Sequence, residues 1–541
     1  MKHKIGLLTL LISGALLAGC APKNTDTVKV QVIGINDFHG ALQAPGDGKL
    51  GGIESIATLV NQLRAQNDKT IVVGAGDLVG ASPLLSSMFY DEPTIEALSA
   101  IGMETSAVGN HEFDKGKEEL LRKQNGGCHP TAGCVGKDSF DGANFNYLAA
   151  NVIVKETGET LFPSYFIKEF DGIPMAFIGL TLEGTPAIVT PSGTAGLEFK
   201  NEVETINNQV KLLKAQGINS IGVLIHEGAT QQVDTKVKDI NRCDNIKGPI
   251  VDIVKQLDAN VDFVVSGHTH QAYNCEINGM TVISAQSNGT LLSQLNIEID
   301  RNTKDIVSIN AKNIPVETSR YEKNPELTTF VQKYEKIALP ISQQVMGSLT
   351  ANVDKKLLPA GDSTLGKIIA DGQLYAASSK EAGGAQIAFM NSGGIRADMK
   401  AGELTYGDIF TVQPFSNVVV TQSLTGAQIK QALEQQWDRA RPQVMPVSKG
   451  FYYEWDDSRP VGDKVIQKSM KLNGKPLDMN KSYRVAANEF LATGGSRFSA
   501  FNQGKDRVYS LPDNEALMQY FKDHQFPFQR MCVSRKLNNK I

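Results

Sequence analysis

The sequence has 541 residues, of which 41% are hydrophobic and 21% are charged, a composition typical of globular proteins. This length predicts two large domains or three smaller ones. A formal net charge of −4 and a pI near 6.1 argue against binding to a nucleic-acid polymer or to an anionic membrane surface. Any phosphate chemistry must therefore depend on local positive charge, and no protein partner is predicted.

The N-terminal residues have the pattern of a secretory leader. Lys2 and Lys4 precede an apolar segment over residues 5–17, which is too short to span a bilayer. The tetrapeptide Leu-Ala-Gly-Cys at residues 17–20 resembles the bacterial lipobox, in which the cysteine is lipidated and becomes the new N-terminus. A plain cleaved signal peptide is the alternative.

The lipobox pattern predicts a lipoprotein signal peptide over residues 1–19, a lipid anchor on Cys20 and a short polar tether over residues 20–28. The next residue, Ala21, carries no acidic signal for retention in the inner membrane. We therefore expect a lipid-anchored protein in the periplasm or at the cell surface, with the outer membrane as the preferred site.

Cysteine usage fits an oxidising compartment. The six cysteines are Cys20, Cys128, Cys134, Cys243, Cys275 and Cys532. Cys128 and Cys134 enclose a short loop and predict a disulfide. Cys243 and Cys275 could form a second one, which would leave Cys532 free if Cys20 is lipidated. A zinc site that uses His129 is a weaker alternative, because the sequence has no second closely spaced cysteine pair.

From Lys29 onward, short apolar strands alternate with helical patterns, which is typical of an α/β domain. A helix is predicted over residues 203–217, with Gly217 at its C-terminal end. Together these elements predict a first domain over residues 29–323. The predicted strands cover residues 28–35, 70–75, 105–109, 175–180, 220–225, 261–267 and 280–285.

The second half begins with a helical connector. Residues 324–348 predict a linker helix with Pro340 near its end, and a second domain over residues 349–541 follows. In that domain we predict a helix over residues 363–379 and a strand over residues 385–394.

Residues that commonly bind metals follow five of the predicted strands. Because ligands bind outside the carboxyl ends of the strands in open α/β sheets, we expect these groups to meet at one edge. Any one histidine is more often structural, but five of the eight histidines fall in these groups. Imidazole and carboxylate ligands suit zinc, manganese or iron, and one shared aspartate can hold two ions about 3.5–4 Å apart. The five groups are Asp37 with His39, Asp77, Asn110 with His111, His226, and His268 with His270.

The five groups together resemble the signature of calcineurin-like metallophosphoesterases. The surrounding residues are similar to the bacterial 5′-nucleotidase family, which includes UDP-sugar hydrolases and cyclic-nucleotide phosphodiesterases. The resemblance covers nearly the whole chain after residue 28. Its motifs are INDFHG, GAGDLVGASP, GNHEFDKG and SGHTHQAYNC in the first half and NSGGIRAD, FTVQPFSNVVV and ANEFLATGG in the second.

This resemblance implies an α/β fold with an N-terminal four-layer α/β/β/α metallophosphoesterase sandwich, a helical linker and a smaller mixed α/β C-terminal substrate-binding domain. It also implies two divalent metal ions, of zinc, manganese or a similar metal, and an attack on phosphorus by a water that the metals activate. One ion would be held by Asp37, His39, Asp77 and His270, and the other by Asp77, Asn110, His226 and His268. His270 replaces a glutamine or asparagine of some relatives.

The resemblance assigns two residues beside the metals to catalysis. His111 would contact the phosphoryl or leaving oxygen, and Asp114 would orient its ring. The alternative for Asp114 is a turn or a helix cap. Glu112 has no chemical role in this interpretation and is expected to be structural.

Substrate recognition is assigned to the second domain. The resemblance places Asn391, Gly394 and Arg396 in the loop that contacts phosphate, and it makes Phe415 and Phe498 the two rings that stack on a nucleobase. Rotation of this domain about the linker would carry the substrate to the metals.

Two departures from the family pattern concern the substrate. Ser496 and Arg497 replace the Asp-Gly of the family's Gly-Gly-Asp-Gly-aromatic motif. Arg497 either adds a cation near the substrate or points to solvent. Further arginines that are common in relatives are missing, and the lysines of this region are Lys355, Lys356 and Lys367.

The resulting hypothesis is an extracytoplasmic 5′-nucleotidase that converts nucleoside 5′-monophosphates to nucleoside and phosphate. An alternative keeps the site but acts on 2′,3′-cyclic nucleotides, nucleotide sugars or dinucleotides. An alternative of another class is a lipoprotein that binds nucleosides without catalysis.

Overall fold

The computed structural model describes residues 26–232, 239–439 and 442–524 and the strand 534–537. The predicted signal peptide, the lipid anchor at Cys20 and the thiol of Cys532 lie outside the described residues. Among the helices of the described ranges, none combines the length and apolar character needed to cross a membrane.

The N-terminal domain alternates strands and helices along the chain, as the sequence predicts. Its elements in order are β1 (Thr27–Ile35), α1 (Ile53–Gln66), β2 (Thr70–Ala75), α2 (Leu84–Ser87), α3 (Glu92–Ala100), β3 (Met103–Ala107), α4 (Lys117–Asn125), β4 (Asn146–Leu148), β5 (Val152–Val154), β6 (Tyr165–Phe170), β7 (Ile173–Thr181), β8 (Leu197–Phe199), α5 (Glu202–Ala215), β9 (Ser220–His226), β10 (Thr230–Gln231), β11 (Ile246–Lys247), α6 (Pro249–Val254), β12 (Phe263–Ser266), β13 (Ala272–Ile277), β14 (Met280–Ala285), β15 (Leu291–Asp300), β16 (Ile306–Pro315) and α7 (Pro325–Ser342).

Two six-stranded sheets pack face to face in this domain. Their strand orders are β16-β15-β1-β2-β3-β4 and β13-β14-β12-β9-β7-β6. An apolar core lies between the sheets, α1, α3, α4 and α7 cover the outer face of the first, and α5 and α6 cover the second. The predicted four-layer α/β/β/α arrangement is therefore confirmed.

The central parallel strands are buried on both faces, which explains their continuous apolar sequences. Every residue of β2 and of β9 is buried. The predicted strand over residues 105–109 instead ends at Ala107, because Val108 and Gly109 leave the sheet and lead the chain into the turn that carries Asn110.

The helical connector belongs to the N-terminal domain for most of its length. The Asn324 side chain caps α7 by accepting hydrogen bonds from the amides of Glu326 and Leu327. The buried face of α7 packs on the N-terminal core through residues such as Val331 and Tyr334. The last residues of the predicted linker form the next strand, β17 (Val345–Leu349), so the chain changes domain just after the helix.

The C-terminal domain is a smaller mixed α/β unit, as predicted. Its remaining elements are α8 (Thr364–Ala376), β18 (Ile387–Phe389), β19 (Gly402–Thr405), α9 (Tyr406–Val412), β20 (Val418–Thr425), α10 (Gly426–Glu434), β21 (Phe451–Asp456), β22 (Lys471–Leu472), β23 (Lys475–Pro476), β24 (Ser482–Asn488), α11 (Glu489–Ala492), β25 (Lys505–Pro512), α12 (Asp513–Asp523) and β26 (Ser534–Leu537).

A four-stranded sheet of order β18-β24-β20-β25 forms the centre of this domain. Helix α10 packs on one face, and α8 and α12 pack on the other. The strand predicted over residues 385–394 is only three residues long, because the chain turns at Ser392–Gly394 directly after Asn391. This turn places the predicted phosphate loop at the end of the strand.

Both predicted disulfides are present. Cys128 pairs with Cys134 and Cys243 pairs with Cys275. The alternative of a zinc site at His129 is therefore wrong, since the two nearest thiols are bonded to each other. The His129 ring instead stacks on Tyr90, with 3.8 Å between ring centroids.

Candidate metal and phosphoester site

The predicted metal ligands converge at one edge of the two sheets. Each follows the carboxyl end of β1, β2, β3, β9 or β12, and this shared edge brings residues that are far apart in sequence into contact. Three overlapping groups could each hold a cation: Asp37 with His39 and His270, His39 with Asp77 and His111, and Asp77 with His226 and His268.

The backbone at this edge is held in an unusual conformation. Five of the predicted ligands have a positive φ: Asp37 (49°), His39 (48°), Asp77 (50°), His268 (68°) and His270 (53°). This left-handed region costs an L-residue roughly 1–2 kcal/mol. Such strain persists only where the surroundings fix it, and it is typical of functional sites.

Hydrogen bonds from the outer nitrogen of two histidines orient their rings. His39 Nδ1 lies 2.9 Å from the carbonyl oxygen of Gly80, and His226 Nδ1 lies 2.8 Å from that of Ala75. A nitrogen that donates to a carbonyl leaves the opposite Nε2 with a lone pair. Both Nε2 atoms therefore face the centre of the site, where each can bind a metal ion once it carries no proton.

The inward-facing atoms form a set that suits divalent cations. His226 Nε2 lies 2.9 Å from Asp77 Oδ2. Burial lowers the pKa of His226, but the charge and the hydrogen bond of Asp77 outweigh it and raise the value to about 10. His39 Nε2 lies 3.0 Å from His270 Nε2. Imidazole nitrogens and carboxylate oxygens that converge at this spacing can exchange protons for metal ions, so the donor set fits divalent metals.

The remaining ligands complete this arrangement. Asp37 Oδ1 lies 3.3 Å from His270 Nε2, and the Asp37 carboxylate accepts a hydrogen bond from the amide of His268. His268 Nδ1 lies 3.0 Å from Asn110 Oδ1. Burial lowers the pKa of His39 to about 3 and the pKa of His268 to about 4, so both rings are neutral, as ligands must be.

Glu112 fixes the loops that carry two of the ligands. Its buried carboxylate accepts hydrogen bonds from the amides of Asp77 (2.9 Å), Leu78 (2.7 Å), Val79 (3.3 Å) and Gly109 (2.7 Å). The loop after β2 is thereby tied to the loop after β3. This is the structural role expected for Glu112.

His111 and Asp114 form a hydrogen-bonded pair beside the metal ligands. His111 Nδ1 lies 2.7 Å from Asp114 Oδ2, and the His111 amide donates to Asp77 Oδ1 at 2.8 Å. Burial lowers the pKa of His111, but the charges of Asp114 and Asp77 outweigh it and raise the value to about 9. Because Nδ1 is bonded to Asp114, Nε2 is the atom that remains for a ligand.

A cavity of about 280 Å³ lies between the two domains at this edge. The N-terminal domain contributes Asn110, His111 and His268 to its walls, and the C-terminal domain contributes Asn391, Gly394, Arg396 and Phe415. The structure thus brings together in one cavity the predicted catalytic histidine, two predicted metal ligands and four of the five predicted substrate contacts.

Arg396 reaches the cavity from the turn after β18. Burial lowers the pKa of its guanidinium from the ordinary value, whereas the charges of Asp77 and Asp114 act in the opposite direction. Among the lysines left open above, Lys355 is the one beside Arg396, since its Nζ donates to the Arg396 carbonyl oxygen at 2.9 Å. Lys367 instead pairs with the buried Asp362 at 3.0 Å.

Phe498, which was predicted to stack on the base, lies elsewhere. Its side chain is only 1% exposed and packs in the C-terminal apolar core, where the Arg439 guanidinium lies over its ring. The second aromatic ring of the cavity wall is Phe490. Phe490 lies against Gly495, where a Cβ would come within 2.6 Å of the ring, so this glycine makes room for it. The prediction that Phe498 stacks on a nucleobase therefore does not fit this structure.

The departure at residues 496–497 has a local structural effect. Ser496 and Arg497 both have a positive φ, 52° and 62°. Ser496 lines the cavity, and the Arg497 side chain is exposed to solvent. Of the two alternatives for Arg497, the structure therefore shows the one in which the side chain points to solvent.

Sequence reasoning missed several further residues of the cavity wall, among them Phe490 and Lys115. Phe490 stands in the quoted ANEFLATGG motif, and Lys115 follows Asp114 in GNHEFDKG. Their positions within these motifs could have indicated that they lie near the site. Neither a phenylalanine nor a lysine indicates a role by its residue type alone.

Comparisons with known proteins identify the family of each domain. A family model for the calcineurin-like phosphoesterase matches residues 30–272, and one for the 5′-nucleotidase C-terminal domain matches residues 345–503. Together they include all of the predicted site residues.

Relatives extend the similarity over the full described chain. The chain is 32% identical to Endonuclease YhcR of Bacillus subtilis over 92% of its own length, but it spans only 40% of that protein. It is 30% identical to Cell wall protein Lmo0130 of Listeria monocytogenes, with 99% of this chain and 72% of that protein covered. It is 26% identical to a 5′-nucleotidase of Vibrio parahaemolyticus, with 97% and 96% covered.

Solved structures share the fold. The crystal structure of a 5′-nucleotidase precursor from Thermus thermophilus aligns with a TM-score of 0.75 at 24% identity, and the alignment covers 95% of this chain and all of that chain. At this level of identity, the similarity establishes the two-domain architecture.

Proposed function

The chain belongs to the 5′-nucleotidase family of calcineurin-like metallophosphoesterases, and we propose that it hydrolyses nucleoside 5′-monophosphates to nucleoside and phosphate outside the cytoplasm. The observation that carries this proposal is the shared cavity between the domains. One wall presents His111 and the metal ligands, and the other presents Arg396 and two aromatic rings. A phosphate and an organic group can be held there at the same time.

The proposal includes two divalent metal ions. When bound, they would supply a Lewis acid that lowers the pKa of water and neutralises phosphoryl charge. The ligands proposed for one ion are Asp37, His39, Asp77 and His270, and for the other Asp77, Asn110, His226 and His268. The convergent acceptor atoms and the strained ligand backbones support this assignment.

The chain's own residues would bind and orient the phosphate. Arg396 offers a planar set of N–H donors suited to phosphate oxygens, and the Asn391 side chain is fixed by a 2.9 Å hydrogen bond from Asn488. Asp114 holds the His111 ring so that Nε2 can contact the oxygen on which charge develops. Phe415 and Phe490 would pack against the base.

The size of the cavity is consistent with a small substrate. Its volume of about 280 Å³ lies just below the range of roughly 300–1,000 Å³ that is usual for ligand cavities. A mononucleotide needs less of this volume than a nucleotide sugar or a dinucleotide. Cyclic mononucleotides are of similar size, so they belong in the assay as competing substrates.

The extracytoplasmic location is supported by two disulfides, because such bonds persist in oxidising compartments. A relative of 30% identity is named as a cell wall protein. We extend the proposal to lipid anchoring at Cys20, on the basis of the Leu-Ala-Gly-Cys sequence. Replacing Cys20 by Ser should release the protein from the membrane fraction of cells that express it.

A substrate panel tests the activity. Purified protein is assayed for phosphate release, or for base-containing products, with AMP, 2′,3′-cyclic AMP, UDP-glucose and NAD, with and without a chelator. We expect the highest kcat/KM with AMP, loss of activity with the chelator, and recovery with zinc or manganese. Activity on the cyclic diester alone would contradict the 5′-nucleotidase assignment. Absence of any hydrolysis together with nucleoside binding would favour the non-catalytic alternative.

A further inference from the structure

One contact crosses directly between the domains next to the proposed catalytic pair. The Lys115 ammonium, from the turn that carries His111 and Asp114, donates a hydrogen bond to the main-chain carbonyl oxygen of Phe415 at 3.1 Å. In the same arrangement the His111 and Phe415 rings stack, with centroids 5.5 Å apart and planes inclined by 19°. Both contacts require the two domains to be together.

The acceptor carbonyl is held rigidly within the C-terminal domain. Residues 415–417 turn sharply at Ser416, which has a φ of 50°. The start of α12 fixes this turn from behind, because the Asp513 amide donates to the Asn417 carbonyl at 2.8 Å and the Asn514 side chain donates to Ser416 Oγ at 2.7 Å. The turn therefore moves with its domain and presents one fixed acceptor to the N-terminal domain.

The donor is equally well placed on its own side. Lys115 directly follows Asp114, and Gly116 after it has a φ of 87° and leads into α4. The main chain around Lys115 thus shares the turn of the catalytic pair.

We propose that Lys115 is an interdomain latch, a positioning residue that binds the Phe415 carbonyl in the closed arrangement and so sets how often Arg396 and His111 face the same cavity. The inference deepens the proposed function, on which its catalytic consequence depends. A hydrogen bond from a charged donor is stronger than one between neutral groups, and Lys115 can form this one only when the domains are closed. Its binding energy therefore stabilises the closed state selectively.

The test measures closure separately from catalysis. 4-Fluorophenylalanine is incorporated at position 415 in the zinc-loaded full chain, and its fluorine resonance reports whether the ring stacks on His111. The variants are Lys115→Met, Lys115→Arg as the conservative replacement, and Lys117→Met as a matched control. The Lys117 ammonium lies 3.7 Å from Glu118 of its own domain.

We expect Lys115→Met to lower the ratio of stacked to unstacked resonance about two- to fivefold, because solvent around the exposed Lys115 ammonium weakens this hydrogen bond. The kcat/KM for AMP should fall by a similar factor, while the affinity for zinc is unchanged. Lys115→Arg should retain most of the closed population, and Lys117→Met should match the wild type.

Two results would overturn the latch: an unchanged fluorine spectrum in Lys115→Met, or no stacked resonance in the wild type. A wild type that hydrolyses nothing, combined with the expected loss of stacking in Lys115→Met, would contradict the proposed function and support the latch. The two hypotheses can therefore fail separately.

Discussion

The metal-binding wall of the cavity and the wall that would bind the organic group are held in different ways. Each predicted metal ligand directly follows a buried strand, and the carboxylate of Glu112 ties two of the ligand loops together through backbone amides. The opposite wall consists of turns and a short helix of the other domain. It meets the metal-binding wall through contacts between the domains, such as the one from Lys115 to the Phe415 carbonyl.

This difference suggests a division of tasks. The metal wall carries backbone strain and closely spaced acceptor atoms, which only a rigid scaffold can maintain. The substrate wall belongs to the other domain, and we propose that it moves with that domain to admit or release a ligand. Substitutions in the first wall should therefore abolish metal binding and chemistry, and substitutions in the second should mainly change substrate affinity or domain closure.

The largest effect is expected for Asp77→Asn. The Asp77 carboxylate lies in two of the three candidate cation groups, and its replacement removes the negative charge that both would share. We expect kcat/KM to fall by more than about 1,000-fold, together with loss of bound metal. Enzyme assays and metal analysis by mass spectrometry measure the two effects. Asp138→Asn, at an exposed position of the same domain, should retain both; full metal content in Asp77→Asn would contradict the proposed bridge.

Phe498 and Phe490 should respond differently, because Phe498 lies in the apolar core and Phe490 lies in the cavity wall. Phe498→Ala empties a site in the apolar core and should lower the free energy of unfolding by about 3–5 kcal/mol. Phe490→Ala removes a half-buried ring of the cavity wall and should raise KM for AMP about tenfold with a smaller loss of stability. Denaturant unfolding and steady-state kinetics separate these outcomes. A raised KM in folded Phe498→Ala, with Phe490→Ala unaffected, would restore the assignment made from the sequence.

Glu112→Gln should lower stability and metal affinity without replacing a proposed metal ligand. The new amide turns N–H donors toward backbone N–H donors, so at least one buried amide loses its acceptor. We expect a loss of about 2–3 kcal/mol in the free energy of unfolding and a reduction of roughly 10- to 100-fold in metal affinity. Calorimetric metal titration and denaturant unfolding provide the measurements. Glu118→Gln on the exposed face of α4 serves as the control, and equal effects of the two variants would rule out the proposed role.

The smallest effect concerns the charge on His111. Burial lowers the pKa of His111, but Asp114 and Asp77 raise it to about 9. In the metal-free protein, Asp114→Asn should move this pKa toward the ordinary value of about 6.5. The histidine resonances in NMR spectra recorded across this pH range measure the shift. A pKa that stays near 9 in the variant would show that Asp114 does not control it.

The raised pKa of His111 also predicts how the free energy of unfolding depends on pH. Because the pKa of His111 is raised on folding, its contribution is fully present below about pH 6.5 and is lost as the pH rises through about 9. The metal-free wild type should therefore lose stability over this range relative to Asp114→Asn. Free energies of unfolding of the wild type and Asp114→Asn, measured near pH 6.5 and near pH 9, show whether the wild type loses stability as the pH rises.

Much of the fold was predictable because strands and helices are indicated by apolar patterns within short stretches of the sequence. The strands β2 and β14 have the predicted bounds, since continuous apolar runs between turn residues indicate buried parallel strands. The predicted strand over residues 385–394 was too long because the apolar pattern cannot show where backbone pairing stops. Its last residues turn away at Ser392–Gly394 and carry Asn391 to the cavity.

The grouping of the proposed metal ligands was predictable for a related reason. A polar residue directly after a parallel strand is placed at the same edge as every other such residue, whatever the rest of the fold does. Sequence alone therefore grouped Asp37, Asp77, His226 and their neighbours. Of the cavity rings, Phe490 lies in the short helix α11 and Phe415 in a turn, so neither is marked by a strand end. Family resemblance chose Phe498, whereas the left-handed turn at residues 496–497 directs that ring into the core.

The sequence by itself thus determined the family, the two-domain α/β architecture and the set of groups at the strand ends, because these depend on periodicity and on order along the chain. Only the tertiary structure decided which aromatic ring faces the cavity, which lysine supports Arg396 and how Lys115 meets the Phe415 carbonyl. Those contacts join residues separated by up to 300 positions. They depend on how two domains pack and on backbone turns, neither of which a local pattern encodes.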